Sequence, residues 1–446
     1  MKYKLYPLIL CLVWAFPSLA QNSAPLKFSF NLDEAIEYAQ NHQVAVLNAQ
    51  LDQKIASNTV KQTIGIGLPQ INGSANFQDY LKVPTSLLPG EFFGQQGTLV
   101  PVKFGVTYQS SIGADLSQLL FDGTYLVGLK ASKTYKELST RNLQRSRIET
   151  AVAVTKAYYS VLVNNEQLSL LDANLLRLKK SLNDTEALFK NGFVEKIDVD
   201  RLSVLKNNLE TERQNVTRLL ALNVNLLKFQ MGMPVEAELS LKDSINNLNI
   251  EKNTVTADTT AYQSRIEFAL MQTQKKLNEL DLKRYKSLFL PSLSAFGNTG
   301  KSWQSNNFST MFDMGFPSTV VGLRLMVPIM SGGQKLYRVR NAKLEVEKTQ
   351  NNLENLKNGI NLEIAQAQTI YVNGLESLDN QKRNMELATE VLRVSKIKYD
   401  QGVGSSLEVT TAETSLKESQ NNYINALYDM LINKVNLDRA LGKINY

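Results

Sequence analysis

The stretch Val409–Gly442, VTTAETSLKESQNNYINALYDMLINKVNLDRALG, decides the fold. Stepping alternately three and four residues from Val409 gives Val409, Ala412, Leu416, Ser419, Tyr423, Ala426, Met430, Asn433, Leu437 and Ala440, with only Ser419 and Asn433 strongly polar. That is a heptad seam on one helix. A second apolar line, Ile424, Leu427 and Leu431, runs beside it. Two adjacent seams imply neighbours on both sides, as in a bundle or a closed helical tube.

The same ladder occurs earlier in the chain: Val199, Leu202, Lys206, Leu209, Arg213, Val216, Leu220, Asn223, Leu227 and Gln230. Gly192 then matches Gly402, Asn223 matches Asn433, and Gly232 matches Gly442, without a gap. Upstream, Leu68-Pro69 corresponds to Leu290-Pro291, and Phe121-Asp122-Gly123 to Met330-Ser331-Gly332. The chain is an internal duplication whose period far exceeds that of solenoid repeats. We divide it into residues 1–20, a first repeat at 21–233 and a second at 234–446. No proline occurs between Pro101 and Pro234, or after Pro328. Each such stretch reads as long helix broken near one glycine, Gly192 or Gly402. The segment from Gly123 to Lys190 alone would extend about 100 Å as helix.

Each repeat also holds a period-two region. Gln70, Asn72, Ser74, Asn76 and Gln78 alternate with Ile71, Gly73, Ala75 and Phe77. Tyr108, Ile112, Ala114 and Leu116 alternate with Thr107, Gln109, Ser111, Asp115 and Ser117. In the second repeat Val321, Leu323, Leu325 and Val327 alternate with Gly322, Arg324 and Met326, and Leu293 and Ala295 begin a weaker partner. We place strand pairs at about 68–80 and 105–120, and at about 290–300 and 319–329. Leu81–Phe104 and Lys301–Ser318 read as exposed loops. One polar face and one small or apolar face fit transmembrane barrel strands, with girdle aromatics such as Phe77, Tyr108 and Trp303 near the strand ends. A half-buried soluble sheet has the same pattern, and the N-terminus decides against it. Lys2 and Lys4, the apolar run Leu5–Phe16 and Ser18-Leu19-Ala20 form an export signal cleaved after Ala20. Twelve apolar residues are too few to span a bilayer. Four strands leave open edges that lipid does not tolerate, so copies must associate.

Composition narrows the function. The one cysteine, Cys11, lies in the signal, so the mature chain has no disulfide or thiolate chemistry. Removing Lys2 and Lys4 from 49 basic residues against 42 acidic ones leaves a net charge of about +5, without a basic block. Nucleic acid is not an expected partner. With one histidine, His42, no phosphate-binding glycine loop and no metal cluster, no enzyme and no cofactor is expected.

The strand pair followed by LFDG (Leu120–Gly123), the glycine-tipped hairpins, the repeat ends LALNVNLLKFQMG (Leu220–Gly232) and DMLINKVNLDRALG (Asp429–Gly442), and the opening LDEAIEYAQNH (Leu32–His42) together resemble the TolC-like outer-membrane efflux and secretion factors. The resemblance covers essentially the whole mature chain. It implies an α+β, mostly α fold: a homotrimer with a long-helix periplasmic α-barrel and four strands per chain in a transmembrane β-barrel. It also implies the outer-membrane channel of a tripartite efflux pump or type I secretion system, in contact with outer-membrane lipid, a periplasmic membrane-fusion adaptor and an inner-membrane pump or exporter. In the family the hairpin turns, here Lys190–Lys196 and Asp400–Ser406, form the gated periplasmic tip. The gate residues carried over are Asp198, Tyr399 and Glu408, and the adaptor contact is Gly192, Phe193, Val194, Gly402, Val403 and Gly404. Relatives place an arginine where this chain has Gly404, and Thr411 replaces one member of an acidic pair, so closure should differ here. The same glycines are in any case helix caps, and Asp198 and Glu408 suit helix N-termini. The rival reading is a soluble periplasmic coiled-coil adaptor or spacer, which would lack amphipathic barrel strands.

Overall fold

A computed structural model describes residues 27–94, 96–245 and 261–446. The expected signal and its cleavage point lie outside the described residues. The chain begins with β1 (Lys27–Phe30), α1 (Leu32–His42) and α2 (Val44–Ile66). Four strands follow: β2 (Gln70–Asp79), β3 (Thr85–Pro89), β4 (Leu99–Lys103) and β5 (Tyr108–Phe121). The first hairpin is α3 (Gly123–Lys190) and α4 (Lys196–Met231), and β6 (Glu238–Leu241) leads into the second repeat. That repeat holds α5 (Ile266–Ser287), β7 (Ser292–Ser305), β8 (Gly315–Met326), α6 (Gln334–Asp400) and α7 (Ser406–Ala440).

The long helices follow from the sequence seams. Val409, Ala412, Leu416, Ala426, Met430, Leu437 and Ala440 are buried, as are Ile424, Leu427 and Leu431 on the second line. In the first repeat Leu202, Leu209, Val216 and Leu227 are buried, and the polar ladder positions are half-buried. Leu416, with 1% exposure, contributes about 1.5–3 kcal/mol by leaving water. The partners are α3 for α4 and α6 for α7, and α3 also packs on α7. Closer to the sheet the neighbours run α2, α3, α5, α6. Asp122 caps α3, accepting from the backbone amides of Thr124 and Tyr125. All four hairpin helices are closed by the same device. At Gly192, Gly232, Gly402 and Gly442 the backbone is left-handed. The amide of each donates back to the carbonyl three residues before, and the next amide to the carbonyl five before itself. This is the paired bonding of a Schellman cap.

The sheet has the order β2-β5-β7-β8, antiparallel throughout, with β2 and β8 as open edges. Its register separates two faces. One carries rows such as Gln70, Ser117 and Phe296, then Asn72, Asp115 and Asn298, then Asn76, Ser111 and Ser302. The other carries Ile71, Leu116, Gly297 and Val321, then Gly73, Ala114, Thr299 and Thr319. On the polar face Arg324 lies over the Phe296 ring, 5.2 Å from its centre. No described helix is long and apolar enough to cross a membrane.

The second strand pair departs from the sequence reading. β7 continues to Ser305 and β8 starts at Gly315, so Lys301–Ser305 and Gly315–Ser318 are strand and the turn between them is short. Pro317 disguises this, yet edge strands admit proline. At the other end β8 stops at Met326, because Pro328 removes a donor and restricts Val327. Within Leu81–Phe104, read as loop, β3 and β4 pair as a hairpin. The parallel ribbon β1–β6 joins residues from both sides of the 233/234 boundary. Tyr158 supports it: its hydroxyl donates to Asp243 (2.8 Å) and lies 3.2 Å from the Phe30 carbonyl, while Asp243 accepts from the Leu32 amide (3.0 Å). His42 is exposed, stacked on Tyr38 with 3.9 Å between ring centres.

Candidate functional site

The two hairpin turns lie at the end of the long helices remote from the sheet. At the first, α3 ends at Lys190, Asn191 closes it, Gly192 reverses the chain and α4 begins at Lys196. At the second, α6 ends at Asp400, Gln401 and Gly402 reverse it, and α7 begins at Ser406. Phe193 and Val403, each 77% exposed, project from equivalent places, and Val194 is half-buried. An exposed aromatic and an exposed valine at rigid turns are surface that a partner can cover.

Gly404 has a different constraint. A Cβ built on it would meet Lys398 Cβ at 2.9 Å, the Tyr399 amide nitrogen at 3.0 Å and the Lys398 carbonyl carbon at 3.1 Å. The amides of Val403 and Gly404 both donate to the Lys398 carbonyl, at 3.0 and 3.1 Å. The turn is drawn so tightly onto the end of α6 that a side chain here would force the backbone to shift. An arginine at this position is therefore disfavoured by the local packing as well as missing from the sequence.

Tyr399, one turn back on α6, faces the cleft between the hairpins. That cleft is lined by Thr185 and Leu188 of α3, Leu202 of α4, Lys396 of α6, and Val409 and Thr410 of α7. The Tyr399 hydroxyl is buried, lies beside Thr185 and makes no well-formed hydrogen bond. Burial raises its phenol above the ordinary range, and the Asp198 and Asp400 charges add to this. Asp198 is thus within electrostatic reach of Tyr399, but its ion pair is with Arg201, one turn along α4, at 3.6 Å. Glu408 is exposed at the start of α7, where its amide donates to the Ser405 hydroxyl at 3.2 Å. The Asp198 charge acts on Tyr399 without a bond between them; Glu408 is exposed on the surface of the single chain.

Polar ties that the sequence pattern does not mark lie above the tip. Glu413 of α7 is almost buried and accepts from Arg177 of α3 through Nε (3.1 Å) and Nη2 (2.9 Å). Arg177 also donates to Asn174, whose amide donates to Gln420 at 2.6 Å. Lys417 of α7 pairs with Glu212 of α4 at 2.6 Å, and Lys396 reaches Ser181 at 3.1 Å. These bonds hold one hairpin to the other within a chain. The signal was a break in the duplication: at the matching places stand Leu387 and Ser203, which cannot form such a pair. Among the described residues, no group of three or more His, Cys, Asp or Glu is placed to hold a metal ion.

Comparison with known proteins gives one answer. The model of the outer membrane efflux protein family matches residues 35–220 and 279–443. The solvent efflux pump outer membrane protein SrpC of Pseudomonas putida is 24% identical over 315 residues, 69% of this chain and 65% of that protein. The chain thus matches a little under two thirds of that relative's length. Outer membrane protein TolC of Salmonella enteritidis is 23% identical over 76% of this chain and 70% of its own. Among solved structures, the transmembrane channel CusC superposes with a TM-score of 0.75 at 18% identity, over 95% of each chain. The open state of the MtrE outer membrane channel of Neisseria gonorrhoeae gives 0.75 at 17% identity, over 92% of this chain and 89% of that one. The chain belongs to the outer membrane efflux protein family, whose members are channel proteins of the outer membrane.

Proposed function

We propose that three copies close into one conduit, with twelve strands in the outer membrane and twelve long helices beneath them. It serves as the outer-membrane channel of an efflux pump or a secretion system. The observation that carries this is the four-stranded sheet: two unpaired edges, one face of Gln, Asn and Ser, and the other of Ile, Leu, Val and Ala. In lipid such a sheet persists only if its edges are joined to further copies. The helices supply matching surface, since Leu387, Val391 and Val394 form an exposed stripe on α6 that another copy would cover. A soluble coiled-coil spacer would have no use for such strands.

On this reading each chain contributes its two repeats as two equivalent sixth-of-a-turn pieces of wall, residues 21–233 and 234–446. The tip closes where Tyr399, Asp198 and Glu408 stand. Gly192, Phe193, Val194, Gly402, Val403 and Gly404 receive a periplasmic adaptor that links the channel to an inner-membrane pump or exporter. Planar-bilayer recording of the purified channel tests the gate. Tyr399→Phe combined with Asp198→Ala should raise single-channel conductance; unchanged conductance would confine these residues to packing and capping. Phe193→Asp should abolish export and adaptor crosslinking in cells while assembly persists. Full export with retained crosslinking would overturn the docking assignment.

A further inference from the structure

Lys301 is the one lysine on the outward face of the four-stranded sheet among the described residues, and its surroundings are not those of a stray charge. Its register neighbours on that face are Ile112 of β5 and Pro317 of β8. A charged group near the middle of a lipid-facing strand costs about 2–4 kcal/mol, falling to ~0–1 near the interface. The side chain is directed toward the interface. A Cβ on Gly315 would meet Lys301 Cε at 2.1 Å and Trp303 Nε1 at 2.6 Å, so the stem and the indole share the space that this glycine leaves open. Trp303 is two residues nearer the turn, and the Lys301 ammonium lies over its ring, 5.4 Å from the centre. The indole in turn packs edge-on against Phe312, at 5.6 Å between ring centres. A long cation whose stem covers apolar surface while its head rises to a belt of aromatic rings is placed at headgroup level.

The long helices leave the sheet from its other end, so the β7–β8 turn is at the extracellular rim. The headgroups there belong to the outer leaflet, which in an outer membrane is built of phosphorylated glycolipid. We propose that Lys301 and Trp303 form a binding position for the phosphate of that lipid, one per chain around the rim. Lys301 supplies the charge, the Trp303 ring holds the ammonium and seats the lipid's sugar edge, and Gly315 keeps the space clear. This rests on the barrel reading above, because only there does this face meet lipid.

Trp303 is itself the reporter, being the only tryptophan after residue 20. The assembled channel in neutral detergent is titrated with bromine-labelled phosphatidylcholine, with lipid A and with inorganic phosphate, following tryptophan emission. Quenching by the brominated lipid is expected, and its failure would overturn the barrel placement and the proposal with it. With quenching observed, lipid A should perturb emission at lower concentration in the wild type than in Lys301→Gln. The expected weakening is about fivefold, the contribution of one lysine at an anionic lipid surface. Lys301→Arg should keep the wild-type response. Equal lipid A titrations for wild type and Lys301→Gln, or an equal response to inorganic phosphate alone, would overturn the binding position while leaving the barrel standing.

Discussion

The two hairpin tips share a backbone and differ in almost everything attached to it. At Gly192 and Gly402 the φ angles are 78° and 72°, and the two capping bonds fall at corresponding carbonyls, Leu188 and Phe189 against Lys398 and Tyr399. Beyond the glycine the second tip is tighter. Gly404 lies against the end of α6, where the first tip has Val194 with its side chain in place. Ser405 caps α7 through its hydroxyl, whereas Glu195 makes no side-chain cap on α4. Phe189 is partly exposed, whereas its counterpart Tyr399 turns a hydroxyl into the cleft between hairpins. Duplication therefore preserved the instructions that reverse the chain and freed the side chains to specialise. The tight tip carries the tyrosine; the looser one presents the phenylalanine.

The largest effect that sharpens this contrast comes from Gly404→Arg. Forcing a side chain against Lys398 and Tyr399 should cost about 2 kcal/mol, within the usual range for overpacking. Hydrogen exchange at the amides of Val403 and Gly404 should accelerate about thirtyfold, since each 1.36 kcal/mol is tenfold. Val194→Arg in the first tip should change exchange little. Equal responses would mean that the two turns are equally open and the distinction fails.

Next in size are Gly192→Ala and Gly402→Ala. Neither Cβ would meet a heavy atom within 4 Å, so the cost is conformational alone, about 1–2 kcal/mol for an L-residue held left-handed. The two losses, read from exchange at each turn, should agree within a few tenths of a kcal/mol. A clear inequality would show that the caps are not equivalent. Smaller again is Ser405→Ala, which should loosen the first turn of α7 by about 1 kcal/mol, while Glu195→Ala leaves α4 unchanged. A matching loss at Glu195 would reveal a cap that the structure does not contain.

Much of this was readable in the sequence, and the reasons are physical. A positive-φ cap needs glycine, so Gly192, Gly232, Gly402 and Gly442 announce the helix ends. Heptad spacing marks Leu416, Met430 and Leu437 as core. Tyr399 and Asp198 follow from the resemblance, and the Asp198 charge reaches Tyr399, yet Tyr399 makes no well-formed hydrogen bond and Asp198 pairs with Arg201. What escaped depends on three-dimensional fit. Gly404 shows only as a missing arginine until the backbone of Lys398 is seen beside it. Lys301 and Trp303 look like loop because strand propensity is weak where a lysine stem must pack over Gly315. The Arg177–Glu413 pair joins residues on different repeats, and no local pattern marks such a pairing.

All of these readings of tip and rim depend on the single chain being one third of a closed wall. Native mass spectrometry of the protein released gently from detergent tests that most directly. One dominant species at three times the protomer mass, dissociating on heating, is expected. A spectrum dominated by single chains under the same gentle conditions would contradict it.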